Sequence, residues 1–135
     1  LKGQNMSAEA VDGYAELIGL SECDFVEIKG ATFAPVWEDK HSGLSYDNSP
    51  GHDEVRAFAL RLAERLPAYG LACEHEHSSC ALLARRDRFF EPHGRWHTHI
   101  DYEKFADAAI AGETLEVTDF AAETPDWAVA RGEPG

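Results

Sequence analysis

The sequence predicts an α/β fold for one domain, with a βα unit of a parallel sheet or barrel near its start and an α+β region after it. Three observations support this prediction. An amphipathic helical pattern follows Ser7, a β-rich run covers Phe25 to Lys29, and a second amphipathic helix precedes two further apolar runs. The 135 residues suit one domain, which would bury roughly two thirds of the surface that its unfolded chain exposes.

The first βα unit places two polar side chains at predicted strand ends. Ser7 is a good N-cap residue, and the apolar residues of the following helix are Val11, Tyr14, Ala15 and Ile18. The strand from Phe25 to Lys29 ends at Gly30. Because the carboxyl ends of strands carry the chemistry in such folds, Asn5 and Lys29 are candidate site residues.

A long loop and a second helix follow the strand. Residues 34–51 contain Pro35, Gly43, Pro50 and Gly51, and loops of this length are usually functional or disordered. The second helix is predicted from Ser49-Pro50 to about Leu66, where Pro67 ends it. Its apolar stripe is assigned to the core.

The stretch from Cys73 to Cys80 is the most metal-like part of the sequence. Strand alternation would place Cys73, His75 and His77 on one face and both Glu74 and Glu76 on the other. Cys73, His75, His77 and Cys80 could therefore hold zinc. The alternative is a polar strand whose histidines and glutamates bond to each other or to a substrate.

The stretch from Arg85 to Trp96 mixes guanidinium groups with aromatic rings. Guanidinium groups pair with phosphates and aromatic faces stack on unpaired bases, so this mixture suits RNA. The alternative is a sheet edge whose arginines balance local acids and whose aromatic residues belong to the core.

The last third of the chain is predicted to add one strand and one helix. Trp96 to Ile100 form the strand, and Asp101 caps a helix that extends through Ile110. The tail after Gly112 is irregular and acidic, with Phe120 and Trp127 as candidate anchors on the core.

The composition limits the classes of function. A net charge of −13 excludes nonspecific coating of DNA. Arginines outnumber lysines eight to four, which is typical either of a salt-adapted protein or of an ordinary acidic one. The sequence has no apolar run that could span a membrane and no secretory signal, and three cysteines indicate a cytoplasmic chain. Because it begins at Leu1 instead of methionine, we expect a fragment.

Blocks along most of the chain resemble the carboxyl-terminal part of the wyosine-forming radical-SAM enzymes, the tRNA 4-demethylwyosine synthase family. The chain is similar to a salt-adapted archaeal member in its composition. The blocks occur in the same order as in the family, and they are residues 3–6, 24–30, 48–55, 72–78, 100–102 and 124–128, together with Trp96.

The resemblance implies a fold and a chemistry. Residues 1–33 would be the last βα elements of an open radical-SAM-type barrel, and residues 34–135 an α+β wyosine base formation domain with an acidic tail. The family joins carbons of pyruvate to N1-methylguanosine beside the anticodon of tRNA(Phe), using S-adenosylmethionine and [4Fe-4S] clusters. The chain has no Cys-x3-Cys-x2-Cys motif, so it would need the missing amino-terminal barrel half and would not be active alone.

The resemblance also suggests site residues. Lys29 would be catalytic, with its ammonium near the carboxylate of pyruvate or a tRNA phosphate, although Glu27 is a plausible ion-pair partner instead. The expected substrate- or tRNA-binding residues are Asn5, Glu74, His75, Glu76, His77, Arg85, Arg86 and Arg88. No metal ligand is expected. The alternative function is a non-catalytic, stand-alone module that binds tRNA or a protein.

Overall fold

The computed structural model describes residues 1–35 and 43–132, which form a three-stranded sheet with helices on one face and a smaller extension at the other. The helices and strands are α1 (Ala8–Ser21), β1 (Phe25–Lys29), α2 (His52–Arg65), β2 (Tyr69–His75), β3 (Cys80–Arg85), α3 (Arg86–Phe89), β4 (His99–Ile100), α4 (Tyr102–Ala111) and β5 (Ala121–Ala122). Residues 36–42 of the predicted loop lie outside the described residues.

The helix starts follow their capping residues. Ser7 caps α1 by accepting from the N–H of Ala10, and Asp101 caps α4 by accepting from the N–H of Lys104. The predicted start of α2 at Ser49-Pro50 is too early, because the Ser49 hydroxyl donates instead to the carbonyl of Ala31 at 2.6 Å. The helix therefore begins at His52.

The strand order is β1-β3-β2, and both neighbouring pairs are antiparallel. The predicted parallel edge near Phe25 to Lys29 is therefore wrong for the described sheet. The chain does cross over through α2, so β1 and β2 run in the same direction, but the hairpin returns β3 between them. The antiparallel pair predicted around residues 71–86 is confirmed.

Two apolar clusters hold the sheet. On the helical face, α2 packs Val55, Phe58, Ala59 and Leu62 against Leu71 and Leu83 of the sheet. On the opposite face, Phe89 and Trp96 cover Ala72 and Ala84, but only at one end of the strands. A Cβ atom on Gly70 would lie 2.8 Å from the Trp96 ring and 2.5 Å from Arg86, so this close approach requires glycine.

The carboxyl-terminal tail docks on the sheet instead of remaining wholly irregular. Glu74 N–H donates to the Ala128 carbonyl at 2.9 Å, and Ala130 N–H donates to the Ala72 carbonyl at 3.1 Å. Only His99–Ile100 of the strand predicted for residues 96–100 pairs, and its partner is β5. None of the described helices is long and apolar enough to cross a membrane.

Candidate functional site

A groove opens on the sheet face opposite α2, at the end that Phe89 and Trp96 leave uncovered. We call it the open-face groove. Strand register places Lys29 beside Cys80, Glu27 beside Leu82, and His75 beside Cys80 on this face. The groove has a volume of about 350 Å³, and its wall includes Glu27, Cys73, His75, Cys80, Leu82 and Trp127.

Lys29 lies at the rim of this groove. Its Nζ donates to the carbonyl of Ser78 at 2.9 Å and contacts the Cys80 Sγ at 3.7 Å. The Cys80 thiol also donates to Glu27 Oε1 at 3.4 Å. Cys80 thus lies between the two charged groups, and the alternative in which Lys29 pairs with Glu27 is wrong. The ammonium has no carboxylate partner among the described residues, so it can contact an anionic ligand.

His75 is held at the end of β2. Its Nδ1 shares a hydrogen bond with the Ser78 hydroxyl at 2.7 Å, and its ring meets the Trp127 ring edge-to-face at 6.2 Å between centroids. Cys73 and His75 share one face, as predicted. His77 and Glu76 do not continue the strand, because a 3-10 turn over residues 76–78 closes the hairpin through Ser79 in a left-handed conformation. The predicted placement of these two side chains is therefore wrong.

Glu74 points away from the open-face groove and is buried. Its carboxylate accepts from His52 Nε2 at 3.2 Å and from the N–H and Nε of Arg131 at 2.7 and 2.9 Å, and Arg56 Nε lies 3.1 Å away. Burial alone would raise the pKa of Glu74, but the bonds from Arg131 and His52 outweigh it and hold the pKa below its ordinary value. The carboxylate is therefore charged and fully engaged within the chain.

Sequence reasoning did not identify the partners of Glu74. His52, Arg56 and Arg131 are far from it in sequence, and nothing in their local pattern marks an ion cluster. The one available signal was Arg131 itself, a lone basic residue in an otherwise acidic tail.

Trp127 is exposed, so the prediction that it anchors the tail on the core is wrong. The residue is 72% exposed. The tail is anchored instead by its backbone and by Thr124, whose Oγ1 contacts Thr98 Oγ1 at 2.9 Å. Phe120 packs on Phe105 of α4, with ring centroids 5.1 Å apart.

Asn5 lies in a different groove, of about 310 Å³, that runs along the outer edge of β1. Lys29 also lines that groove, but its ammonium is turned toward Ser78. Asn5 Nδ2 donates to the Tyr14 hydroxyl at 3.2 Å. The binding role of Asn5 stays a prediction.

The three arginines predicted to bind tRNA contact groups of their own chain. Arg85 donates to both carboxylate oxygens of Asp87, and Arg88 pairs with Asp24. Arg86 lies over two rings, those of Phe90 and Trp96, at 5.0 and 5.6 Å from their centroids. This arrangement agrees with the alternative of a sheet edge that balances local acids. Binding of tRNA by these residues stays a prediction.

The four residues of the zinc alternative are not gathered around one point. Cys73 Sγ contacts Thr98 Oγ1 at 2.9 Å, and burial raises the pKa of this thiol. Cys80 lies between Lys29 and Glu27, and Cys23 contacts Tyr69. Within residues 1–35 and 43–132, no three His, Cys, Asp or Glu side chains are placed to hold a metal ion. The zinc alternative is wrong, and these separated cysteines do not fit a [4Fe-4S] cluster either.

Comparisons with known proteins give one family. Residues 20–85 match the family described as wyosine base formation. A rice protein named S-adenosyl-L-methionine-dependent tRNA 4-demethylwyosine synthase is 43% identical over 136 residues, covering 100% of this chain and 20% of that protein. The Arabidopsis thaliana protein of that name is 41% identical with the same coverage, and the Danio rerio one is 41% identical, covering 96% and 18%.

A solved structure was also found. It is described as the crystal structure of archaeal TYW1, with 25% identity and a TM-score of 0.48, and it covers 68% of this chain and 26% of that one. The chain spans about one fifth of the length of the plant relatives that it matches.

Proposed function

We propose, from the premise that this chain carries a wyosine base formation domain homologous to the tRNA 4-demethylwyosine synthases, that it acts in tRNA modification as a segment of such an enzyme. The observation that carries the proposal is the 43% identity to the rice synthase along the whole chain. The proposal includes a barrel end over residues 1–33 and a wyosine base formation domain over residues 34–135. The family match runs from residue 20 to residue 85 and therefore does not itself mark a boundary between residues 33 and 34.

The proposed reaction is the joining of pyruvate-derived carbons to N1-methylguanosine in tRNA(Phe). S-adenosylmethionine and a [4Fe-4S] cluster would supply the radical chemistry, and residues outside this chain would hold them because the three cysteines are scattered. An amino-terminal barrel half is therefore the proposed partner. This chain would supply part of the wall around the substrate.

Lys29 is the proposed catalytic residue of this wall. Its ammonium has no carboxylate partner among the described residues, so it can hold the carboxylate of pyruvate or a tRNA phosphate. Ser78 connects Lys29 to His75, because its carbonyl accepts from Lys29 and its hydroxyl bonds to His75. The rings of His75 and His77, with centroids 6.3 Å apart, can donate hydrogen bonds to the substrate. Glu74 would act indirectly, because its bonds fix the tail that carries Trp127.

A segment exchange tests the proposed function. The matching segment of the rice synthase is replaced by these 135 residues, and product is measured by mass spectrometry on tRNA that contains N1-methylguanosine. The controls are the unaltered rice enzyme and the same enzyme without the segment. We expect the exchanged enzyme to form 4-demethylwyosine and the shortened one to form none. A folded, cluster-loaded exchange enzyme without product would contradict the proposal and favour a non-catalytic binding module.

We further propose that the protein works in the cytoplasm of a salt-adapted archaeal cell. The support is the net charge of −13 and the excess of arginine over lysine. At 1 M salt the Debye length falls to about 3 Å, so repulsion between distant carboxylates is screened. The thermal midpoint should therefore rise steadily between low salt and molar KCl, and a midpoint that does not rise would contradict the salt adaptation.

A further inference from the structure

We propose that the open-face groove binds an unpaired purine base of RNA, which stacks on the exposed ring of Trp127. This site assignment rests on the proposed function, because RNA is the substrate class there. It adds the groove, the stacking residue and the edge contacts, none of which the homology provides.

Trp127 is presented by a turn whose backbone is hydrogen-bonded on both sides of the residue. Thr124 N–H donates to the Trp96 carbonyl at 2.9 Å, and Ala128 N–H donates to the Pro125 carbonyl at 2.8 Å, which closes the turn. At the residue that follows Trp127, the Ala128 carbonyl accepts from the Glu74 N–H at 2.9 Å. Because Trp127 is 72% exposed on this turn, its indole ring keeps its unfavourable hydration unless a ligand covers it.

The groove below the ring suits a flat heterocycle. Leu82 and Ala128 provide apolar contact, and the volume of the groove, about 350 Å³, falls at the lower end of small-ligand sites. The His75 and Trp127 rings meet edge-to-face with centroids 6.2 Å apart, so His75 contacts the indole on one side. An aromatic base can then contact the indole face without reorganising the site.

Polar groups at the rim match the edge of a purine. The Glu27 carboxylate accepts one weak hydrogen bond from the Cys80 thiol, so it retains capacity to accept from an exocyclic amine. The Lys29 ammonium contacts Cys80 on the same side and can donate to a ring carbonyl or to the adjoining phosphate. A nucleobase with an amine and a carbonyl on one edge fits both groups.

The charge distribution favours base contacts over phosphate contacts. Among the described residues, six of the eight arginines form ion pairs with carboxylates. The chain also carries a net charge of −13, which repels the RNA backbone. Base stacking does not depend on net charge, so it is the interaction that this surface can offer to RNA.

The test compares two anticodon stem-loop RNAs that are identical except at one position, which holds either N1-methylguanosine or an abasic site. Binding to the folded 135-residue chain is followed by fluorescence anisotropy. Base stacking on an aromatic residue predicts about 5-fold to 100-fold tighter binding of the intact RNA. We expect Trp127→Ala to remove this difference and Trp127→Phe to retain part of it.

Tyr102→Ala is the matched control, because Tyr102 is 65% exposed on α4 and lies outside the groove. It should leave the preference unchanged. The assignment is overturned if Trp127→Ala keeps the preference, or if the unaltered chain binds both RNAs equally or neither. If this binding test fails but the exchanged rice enzyme forms product, the Trp127 site is wrong and the proposed function still holds.

Discussion

The carboxylate of Glu74 accepts two hydrogen bonds from Arg131, one from the backbone N–H at 2.7 Å and one from Nε at 2.9 Å. These bonds fasten the tail to β2 immediately after the turn that presents Trp127. The same carboxylate accepts from His52 at the start of α2. The buried Glu74 carboxylate, which β2 carries, therefore contacts both α2 and the carboxyl-terminal tail.

Replacing this anion should destabilise the fold. Glu74→Ala leaves Arg56 without its carboxylate and Arg131 with only the exposed Asp53. Both guanidinium groups still reach solvent, so the loss should be about 1.5–3 kcal/mol, the range for hydrogen bonds to charged groups. Chemical denaturation measures the loss. Asp53→Ala is the control, because Asp53 also pairs with Arg131 but its side chain is 89% exposed, and it should cost about 1 kcal/mol or less. Equal effects of the two variants would show that Glu74 does not organise the cluster.

Acid should weaken the same cluster. The pKa of Glu74 is lowered in the folded state, so its contribution to stability is present above its unfolded pKa near 4.5 and is lost as the pH falls through the lower folded value. The free energy of unfolding of the native chain should therefore fall more steeply below pH 4.5 than that of Glu74→Gln. The difference between the pH dependences of the two chains separates the contribution of Glu74 from that of the other carboxylates. Parallel curves would contradict the lowered pKa.

High pH should destabilise the fold through ionisation of Tyr69. Burial, and then the neighbouring Cys23, raise the pKa of Tyr69 to about 12 from 10.0, and the hydroxyl donates to the Cys23 carbonyl at 2.5 Å. Because the pKa of Tyr69 is raised in the folded state, the contribution of its neutral hydroxyl to the free energy of unfolding is complete below pH 10. This contribution is lost as the pH rises toward 12. Two pKa units correspond to roughly 3 kcal/mol.

The free energy of unfolding measured from pH 9 to 11 checks this expectation. Tyr69→Phe should be less stable at neutral pH, by about 1 kcal/mol for the lost hydrogen bond. It should not share the alkaline loss, and an equal decline in both chains would assign that loss to other groups.

The affinity for RNA should depend only weakly on salt. Arg85 and Arg88 are paired with Asp87 and Asp24, whereas Lys29, which contacts Cys80 of the open-face groove, has no carboxylate partner among the described residues. Each phosphate contact to single-stranded RNA contributes a slope of about −0.7 in log affinity against log salt. We expect a slope no steeper than about −1.5, which corresponds to about two contacts. A steeper slope would mean that the arginines leave their carboxylates and bind phosphates.

Local signals predicted the elements well. Ser7 and Asp101 lie at the helix starts where their capping chemistry predicts, and the β-rich run at residues 25–29 is β1. The alternation that places Cys73 beside His75 on one face is also present. Each of these features depends on residues only a few positions apart.

The contacts that build the site are long-range, and the sequence did not reveal them. The insertion of β3 between β1 and β2 depends on packing of the whole sheet, so the parallel expectation failed. Trp127 matched a core anchor by composition, yet backbone bonds and Thr124 dock the tail instead. Whether an arginine is free or paired depends on an acid that can be 64 residues away, as for Arg88 and Asp24.

The most direct measurement is the turnover of the exchanged rice synthase carrying Lys29→Ala. Product on N1-methylguanosine-containing tRNA is measured together with the unfolding midpoint, with Lys104→Ala as a control for an exposed lysine of α4. A charge-assisted contact to the substrate predicts a loss of about 10-fold to 100-fold in kcat/KM for Lys29→Ala and no loss for Lys104→Ala. If Lys29→Ala folds and keeps full turnover, this segment does not provide the proposed wall of the active site through Lys29.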